Sequence, residues 1–180
     1  MRIIGGAFHG KILKVPSGLP VRPTTDFAKE ALFNILSNKI SFDEIKVLDL
    51  FCGTGHISYE FASRGVKQIT CVDQSIKCCG YVKSISKELN FNLSVVKADV
   101  FSFLSSNSYP YDLIFADPPY DLKDIAQIHA SVFNRNLLNP GGYLIIEHGA
   151  KTNLETLTYF LEKRKYGNVN FSFFKKNSEQ

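Results

Sequence analysis

The sequence lacks several features that would assign it to a common class at once. No apolar run reaches the roughly 18 residues that a membrane helix needs, and glycines and charges interrupt any signal-peptide core near the N-terminus. None of the four cysteines is spaced as C-x-x-C, the arrangement typical of zinc ribbons and thioredoxin-like sites. We therefore expect a cytoplasmic protein with reduced thiols, no metal site and no membrane partner.

Acidic side chains are absent from residues 1–25, although the whole chain carries 21 basic and 17 acidic groups. The four basic residues of this segment account for the formal net charge of +4; they are Arg2, Lys11, Lys14 and Arg22. Basic segments of this kind attract a nucleic-acid backbone. With 180 residues, there is room for one domain and an arm. We predict a basic arm over 1–25, containing two short strands at 2–4 and 11–15, and a domain over 26–180.

Hydrophobic patterning predicts an α/β fold. Apolar runs alternate with helical patterns, which indicates a doubly wound, mostly parallel sheet. The predicted strands are 46–51, 68–72, 93–97, 112–116 and 143–147, and the predicted helices are 56–64, 75–89, 122–137 and 152–160, with a short helical turn at 101–105. A hairpin over 161–166 and 169–175, turning at Gly167-Asn168, closes the chain.

A further helix is predicted behind the arm. Thr24, Thr25 and Asp26 are good N-cap residues. Apolar residues then recur at helical spacing, which predicts about three turns with one buried face. These residues are Phe27, Ala31, Leu32, Ile35 and Leu36.

The loop after the first predicted strand is rich in glycine. Gly53 and Gly55 allow a tight turn and let a ligand approach the backbone at the start of the next helix. Ser58 occupies the third position of a dinucleotide-binding motif, where glycine or alanine is expected, and no G-K-S/T follows to make a P-loop. Asp49 lies four residues before Gly53, where it favours an ammonium group over a pyrophosphate.

Two further carboxylates follow the next two predicted strands. Asp73 occupies the position expected for a residue that accepts both hydroxyls of a ribose, and Asp99 could accept from an adenine amine. Either can also serve as a helix N-cap. With the glycine loop, they describe a pocket for an adenosine that carries a cation and no phosphate, which is S-adenosylmethionine.

Residues 117–120 have the sequence D-P-P-Y. The two prolines stiffen the loop, so that the Asp117 carboxylate and the Pro118 carbonyl can accept both hydrogens of an exocyclic amine. These contacts draw the nitrogen lone pair out of conjugation and aim it at a methyl donor, while the Tyr120 ring stacks on the base.

The two motifs, D-x-F-x-G-x-G at 49–55 and D-P-P-Y at 117–120, resemble class I S-adenosylmethionine-dependent amino-methyltransferases. R-I-I-G-G at 2–6, G-K at 10–11 and R-P-T-T-D at 22–26 resemble the bacterial 16S rRNA guanine-N2 methyltransferases, the RsmD family, and the resemblance covers essentially the whole chain. It implies a Rossmann-like fold and methyl transfer to one guanine N2 amine in 16S rRNA. The substrate would be a partly or fully assembled small subunit, and the second product S-adenosylhomocysteine.

The resemblance also implies roles for individual residues. The cofactor side of the pocket comprises Asp49, Phe51, Cys52, Gly53, Gly55, Asp73, Asp99 and Val100. The target amine is held by Asp117, Pro118, Pro119 and Tyr120. RNA is contacted by Arg2, Lys11, Arg22, Thr24 and Thr25. No role is assigned to His56 or His148, because a methylated amine readily loses its proton to water or Asp117, and nothing indicates an obligate dimer.

Other functions use similar motifs. A D-P-P-Y site could methylate adenine N6 or cytosine N4 in DNA, or a protein glutamine. The chain leaves no room for a DNA target-recognition domain, and the glutamine enzymes usually carry N-P-P-Y. A non-catalytic RNA-binding assembly factor would need only the basic arm, and it would not need the intact donor and D-P-P-Y motifs.

Overall fold

The computed structural model describes residues 1–19 and 25–177. The described residues form five α-helices and seven β-strands. The helices are α1 (Asp26–Ser37), α2 (His56–Ser63), α3 (Ile76–Glu88), α4 (Val100–Ser106) and α5 (Ala126–Asn134). The strands are β1 (Lys46–Leu50), β2 (Gln68–Asp73), β3 (Leu93–Lys97), β4 (Tyr111–Ala116), β5 (Leu138–His148), β6 (Phe160–Tyr166) and β7 (Val169–Lys175).

The strands form one sheet in the order β3-β2-β1-β4-β5-β7-β6. Strands β1 to β5 are parallel, and β7 runs antiparallel to both β5 and β6. The predicted α/β class and the C-terminal hairpin are therefore confirmed. The chain moves outward from β1 to β3 and then returns to β4 on the other side of β1. This reversal creates the crevice in which ligands of doubly wound sheets bind, beyond the carboxyl ends of the strands.

Helices cover both faces of the sheet. Alternate residues of a strand point to opposite faces, so Val47 belongs to the core beneath α1, α2 and α3, whereas Leu48 and Leu50 belong to the core beneath α4 and α5. Phe33 of α1 and Phe61 of α2 pack edge to face in the first core, with ring centroids 4.7 Å apart. Burial on both faces explains why the central strands β1 and β4 are largely apolar in sequence.

The N-terminal segment forms less regular structure than the sequence predicted. Its two predicted strands are reduced to one antiparallel bridge between Arg2 and Ile12, with a 3-10 turn at Gly6–Phe8. A side chain at Gly6 would collide with the Ser63 carbonyl, 1.9 Å from an ideal Cβ. Gly6 thus packs directly against the end of α2. Ile3 is buried in the same core as α1 and α2.

One predicted helix is wrong. Residues 152–159, all of them described, form an irregular segment with turns, and residue 160 is already the first of β6. The Asn153 side chain accepts a hydrogen bond from the Glu155 backbone N–H at 2.9 Å, which favours a turn over a helix. Tyr159 has a φ of 62°, outside the helical region.

Two further bounds also differ from the prediction. The helix predicted at 122–137 is shorter and spans Ala126–Asn134. Strand β5 begins earlier than predicted, at Leu138.

Candidate active site

A cavity of about 730 Å³ opens at the carboxyl ends of β1, β2 and β4. It brings together eleven of the residues selected from the sequence: Thr25, Phe51, Cys52, Gly53, Asp73, Asp99, Val100, Asp117, Pro118, Pro119 and Tyr120. It also includes residues that the sequence reasoning did not select: Thr54, His56, Gln74, Ser75, Cys78, Phe101, Leu122, Glu147 and Val169. The predicted cofactor half and the predicted amine half thus share one cavity.

The loop from β1 to α2 presents backbone to this cavity. Phe51, Gly53 and Gly55 have φ values of 58°, 52° and 77°, so the loop turns sharply before α2 begins. An ideal Cβ at Gly55 would come within 2.8 Å of the Tyr59 ring, which leaves no room for a side chain there. The loop therefore leads directly into the N-terminus of α2, and a helix N-terminus favours a carboxylate.

Asp73 joins β2 to the glycine loop. One of its carboxylate oxygens accepts from the Gly53 N–H at 2.9 Å, and the other accepts from the Ser75 N–H at 2.8 Å. Each carboxylate oxygen has two lone pairs, so acceptor capacity remains for a ligand hydroxyl. These bonds fix the orientation of the carboxylate at the cavity wall.

Asp99 is a helix cap that also faces the cavity. It caps α4 by accepting from the Ser102 N–H at 2.9 Å, and it also lines the cavity. Val100 is buried in the wall beside it, and Phe101 adds an aromatic surface. This end of the cavity offers an acceptor and an apolar wall, which fits an adenine.

Asp49 lies behind the glycine loop and is not among the described residues that line the cavity. It is 2% exposed, and its carboxylate accepts from the Ser58 hydroxyl at 2.5 Å. Burial raises its pKa to about 7, with a further increase from the negative charge of Asp73, although the Ser58 hydrogen bond opposes the shift. The predicted contact with an ammonium group stays a prediction, because the carboxylate lies behind the loop with its pKa held near neutrality.

Residues 117–120 form the opposite wall. The Asp117 N–H donates to the Leu50 carbonyl at 3.3 Å and so ties the end of β4 to the end of β1. Pro118 is buried, whereas Tyr120 is 48% exposed at the mouth of the cavity. The Leu122 N–H donates to the Pro119 carbonyl at 3.0 Å and closes a turn. A stiff loop thus holds a carboxylate and an aromatic ring at the cavity.

The two histidines left unassigned by the sequence differ in position. His56 lines the cavity, and its Nε2 is buried with no hydrogen-bond partner among the described residues. Burial, and secondarily the charge of Lys29, lowers its pKa to about 3, so the imidazole is neutral. His148 is 1% exposed and bonds the Gly149 carbonyl and the Ser172 hydroxyl, at 3.0 and 2.8 Å. These contacts give His148 a structural role.

The residues predicted to contact RNA lie in different parts of the structure. Thr25 caps α1, accepting from the Ala28 N–H at 3.2 Å, and lines the cavity. Arg2 lies 3.3 Å from an Asp26 carboxylate oxygen, and Lys11 pairs with an acid of α3. Neither Arg2 nor Lys11 is among the described residues that line the cavity. The other two predictions, Arg22 and Thr24, lie outside the described residues.

Glu147 and Cys78 show which site residues the sequence could and could not reveal. Glu147 is 3% exposed and ends at the cavity from the carboxyl side of β5. The rule that selected Asp73 and Asp117 from the ends of strands also applies to it. Cys78 reaches the cavity from the first turn of α3, and its sequence position gives no such signal.

No group of three or more histidine, cysteine, aspartate or glutamate side chains in 1–19 and 25–177 is arranged to hold a metal ion. All four cysteines are unpaired and buried. Within the same described ranges, no helix is both long and apolar enough to cross a membrane.

Comparison with known proteins finds similarity over nearly the whole chain. Residues 1–175 match the model of a family described as Conserved hypothetical protein 95. YlbH of Bacillus subtilis is 33% identical over 184 residues, which cover 98% of this chain and 99% of that protein. Ribosomal RNA small subunit methyltransferase D of Buchnera aphidicola is 30% identical over 148 residues, covering 82% of this chain and 75% of that protein.

A solved structure shares the fold over its full length. The structure of yhhF from Escherichia coli superposes with a TM-score of 0.87 at 26% identity and covers 99% of both chains. The family model and the relatives together extend over both halves of the cavity. The chain therefore belongs to this family, the RsmD family of class I methyltransferases.

Proposed function

We propose that the protein transfers a methyl group from S-adenosylmethionine to the exocyclic N2 amine of a guanine in 16S rRNA of the small ribosomal subunit. The observation that carries this proposal is the single cavity in which the glycine loop, Asp73 and Asp99 face the loop at 117–120. A relative over most of this chain is a ribosomal RNA small subunit methyltransferase, which supports RNA as the substrate.

The described residues fit S-adenosylmethionine. The cavity of about 730 Å³ is within the range of ligand pockets for a molecule of this size. Gly53 and the start of α2 would accommodate the methionine carboxylate, Asp73 the ribose, and Asp99 with Val100 the adenine. From behind the glycine loop, the Asp49 carboxylate would stabilise the positive charge of the bound S-adenosylmethionine. The bound cofactor supplies an electrophilic methyl group on a sulfonium.

The loop at 117–120 would position the acceptor amine. The Asp117 carboxylate and the Pro118 carbonyl accept its two hydrogens, which localises the nitrogen lone pair and aims it at the donor. Pro119 keeps the loop rigid, and the Tyr120 ring stacks on the base. The rate then comes from positioning and from fixed dipoles. The methylated amine releases its extra proton to water or to Asp117, so no histidine base is required.

The N-terminal segment would contact RNA. Arg2 and Lys11 are about half exposed, and their carboxylate partners can be exchanged for phosphates at little cost, because surface ion pairs are weak. We assign residues 1–25 to this RNA-contacting arm and residues 26–180 to the catalytic domain. The protein would act in the cytoplasm as a monomer, on a partly or fully assembled particle.

Label transfer tests the proposal. The full chain is incubated with tritiated S-adenosylmethionine and small subunits from cells that lack this activity, beside duplex DNA and a glutamine-containing protein. We expect label in the rRNA alone, and none with an Asp117→Ala variant. Label in DNA or protein would move the substrate to another class, and no label anywhere despite donor binding would favour the non-catalytic assembly factor.

A further inference from the structure

Phe27 is exposed although the sequence places it in a helical apolar pattern. Its side chain is 66% exposed, whereas Leu32, Phe33 and Leu36 of the same helix are fully buried. It lies in the first turn of α1, two residues after the cap Thr25. A single exposed hydrophobic residue is ordinary in proteins, so its surroundings decide whether it forms part of a binding surface.

Phe27 is paired with a second aromatic ring. The rings of Phe27 and Tyr166 meet edge to face, with centroids 5.9 Å apart and planes at 78°. Tyr166 ends β6 at the tip of the terminal hairpin and is half-buried. The pair joins the start of α1 to the hairpin, so the Phe27 ring is held at the surface by a defined contact.

The pair lies at the rim of the candidate active site. Thr25, two residues before Phe27, lines the cavity. Val169 also lines it and is the register partner of Tyr166 in the hairpin. The two chain segments that carry Phe27 and Tyr166 are therefore continuous with the cavity wall.

Two arginines flank the pair. Arg2 is 55% exposed and lies 3.3 Å from Asp26, the residue before Phe27. Arg164 is 52% exposed and shares a face of β6 with Tyr166, because alternate residues point the same way. Its Nε donates to Glu162 at 2.7 Å. Surface ion pairs contribute little free energy, so the Arg2 guanidinium can turn from a carboxylate to a phosphate. Glu162 also pairs with Lys39 at 3.0 Å, so it keeps a cationic partner when Arg164 turns to a phosphate.

We propose that Phe27 and Tyr166 form a stacking platform for the nucleotide next to the target base in single-stranded RNA, with Arg2 and Arg164 on its phosphates. A base taken into an active-site pocket leaves its neighbour unstacked, and an exposed aromatic ring replaces the lost contact. The arginines supply the charge complementarity that selects a polyanion. This inference rests on the proposed function, since it requires an RNA substrate.

Substitution of Phe27 tests the platform without disturbing the core. Phe27→Ala is compared with Phe27→Tyr, which keeps the ring, and with Tyr109→Ala. Tyr109 is 76% exposed and lies at the opposite edge of the sheet, where it lines a second cavity with Lys46 and Gln68. The measurements are the Kd of small subunits and of deproteinised rRNA, the KM for small subunits, and the Kd of S-adenosylmethionine.

We expect Phe27→Ala to raise the RNA Kd and KM by about 5- to 150-fold, the loss typical of one stacked base. Phe27→Tyr and Tyr109→Ala should match the wild-type protein, and the donor Kd should not change in any variant. An unchanged RNA Kd for Phe27→Ala in an active enzyme overturns the platform and leaves the proposed function intact. If Phe27→Ala weakens binding to the small subunit but not to deproteinised rRNA, the platform is also overturned, and Phe27 contacts a ribosomal protein instead. If the wild-type protein methylates no RNA, both proposals fall.

Discussion

We predict that Asp49 makes the affinity for S-adenosylmethionine dependent on pH, by an amount that follows from its pKa. Its carboxyl group has a pKa of about 7, because burial outweighs the hydrogen bond from Ser58. A cationic ligand favours the ionised form, so binding weakens as pH falls through 7. For a single group of this pKa, the donor Kd should rise by up to about 25-fold between pH 7.5 and pH 5.5, or nearly tenfold per unit well below the pKa.

His56, Cys52 and Tyr59 do not titrate in this window. The pKa of His56 is about 3, so the imidazole stays neutral. The hydrogen bond with Cys71, together with burial, raises the pKa of the Cys52 thiol, and burial raises that of Tyr59. Asp49 is thus the group to which a transition near pH 7 would be attributed.

Calorimetric titration of the full chain with S-adenosylmethionine from pH 5.5 to 7.5 measures this dependence. The matched control is Asp49→Asn, which keeps the side-chain shape and an acceptor for the Ser58 hydroxyl. The donor Kd of this variant should be larger than that of the wild-type protein at pH 7.5 and should hardly change with pH. A wild-type Kd that does not vary over the window, or an Asn variant with the same slope, would refute the reasoning.

The remaining predictions concern stability, catalysis and RNA binding. Burial holds the pKa of Asp49 in the folded, donor-free protein above its ordinary value of 3.8, so the fold loses stability as pH rises towards 7 and the carboxyl group ionises. Asp49→Asn should therefore raise the free energy of unfolding more at pH 8 than at pH 5. Denaturant titrations should show a difference of roughly 2–3 kcal/mol between the two pH values. Asp117→Ala should lower kcat at least about 100-fold with the donor Kd nearly unchanged, and a lost donor site would contradict the assigned division of the cavity. Replacing Arg2 and Lys11 with glutamine should make the plot of log K against log salt shallower by about 1.4 for single-stranded RNA; an unchanged slope would place the RNA surface elsewhere.

The central strands were predictable because they are buried on both faces. Each reads as a short apolar run, and the strand predicted at 112–116 matches β4 to within one residue. The segment 152–160 was not predictable by the same means. Leu154 is buried and imitates one position of a helical face. The Asn153 side chain instead accepts from the Glu155 N–H, and Tyr159, with a φ of 62°, stacks on Phe133 of α5.

The carboxylates at the strand ends were recognisable for a related reason. Parallel strands present their carboxyl ends at one edge, so Asp73 and Asp117 had to lie near each other. The depth of Asp49 behind the glycine loop depends on the packing of α2 against β1, which no sequence pattern specifies. Phe27 fits an apolar helical pattern, but its side chain is largely exposed. Its position in α1 lies beside the terminal hairpin, where it contacts Tyr166, and not over the core.

The central claim concerns one chemical product, and nucleoside mass spectrometry tests it directly. The full chain is supplied with S-adenosylmethionine and small subunits from cells lacking this activity, and the 16S rRNA is then digested to nucleosides. The account predicts N2-methylguanosine, formed by the wild-type protein and not by Asp117→Ala. A methylated adenine or cytosine in its place would contradict the assignment of the guanine N2 amine.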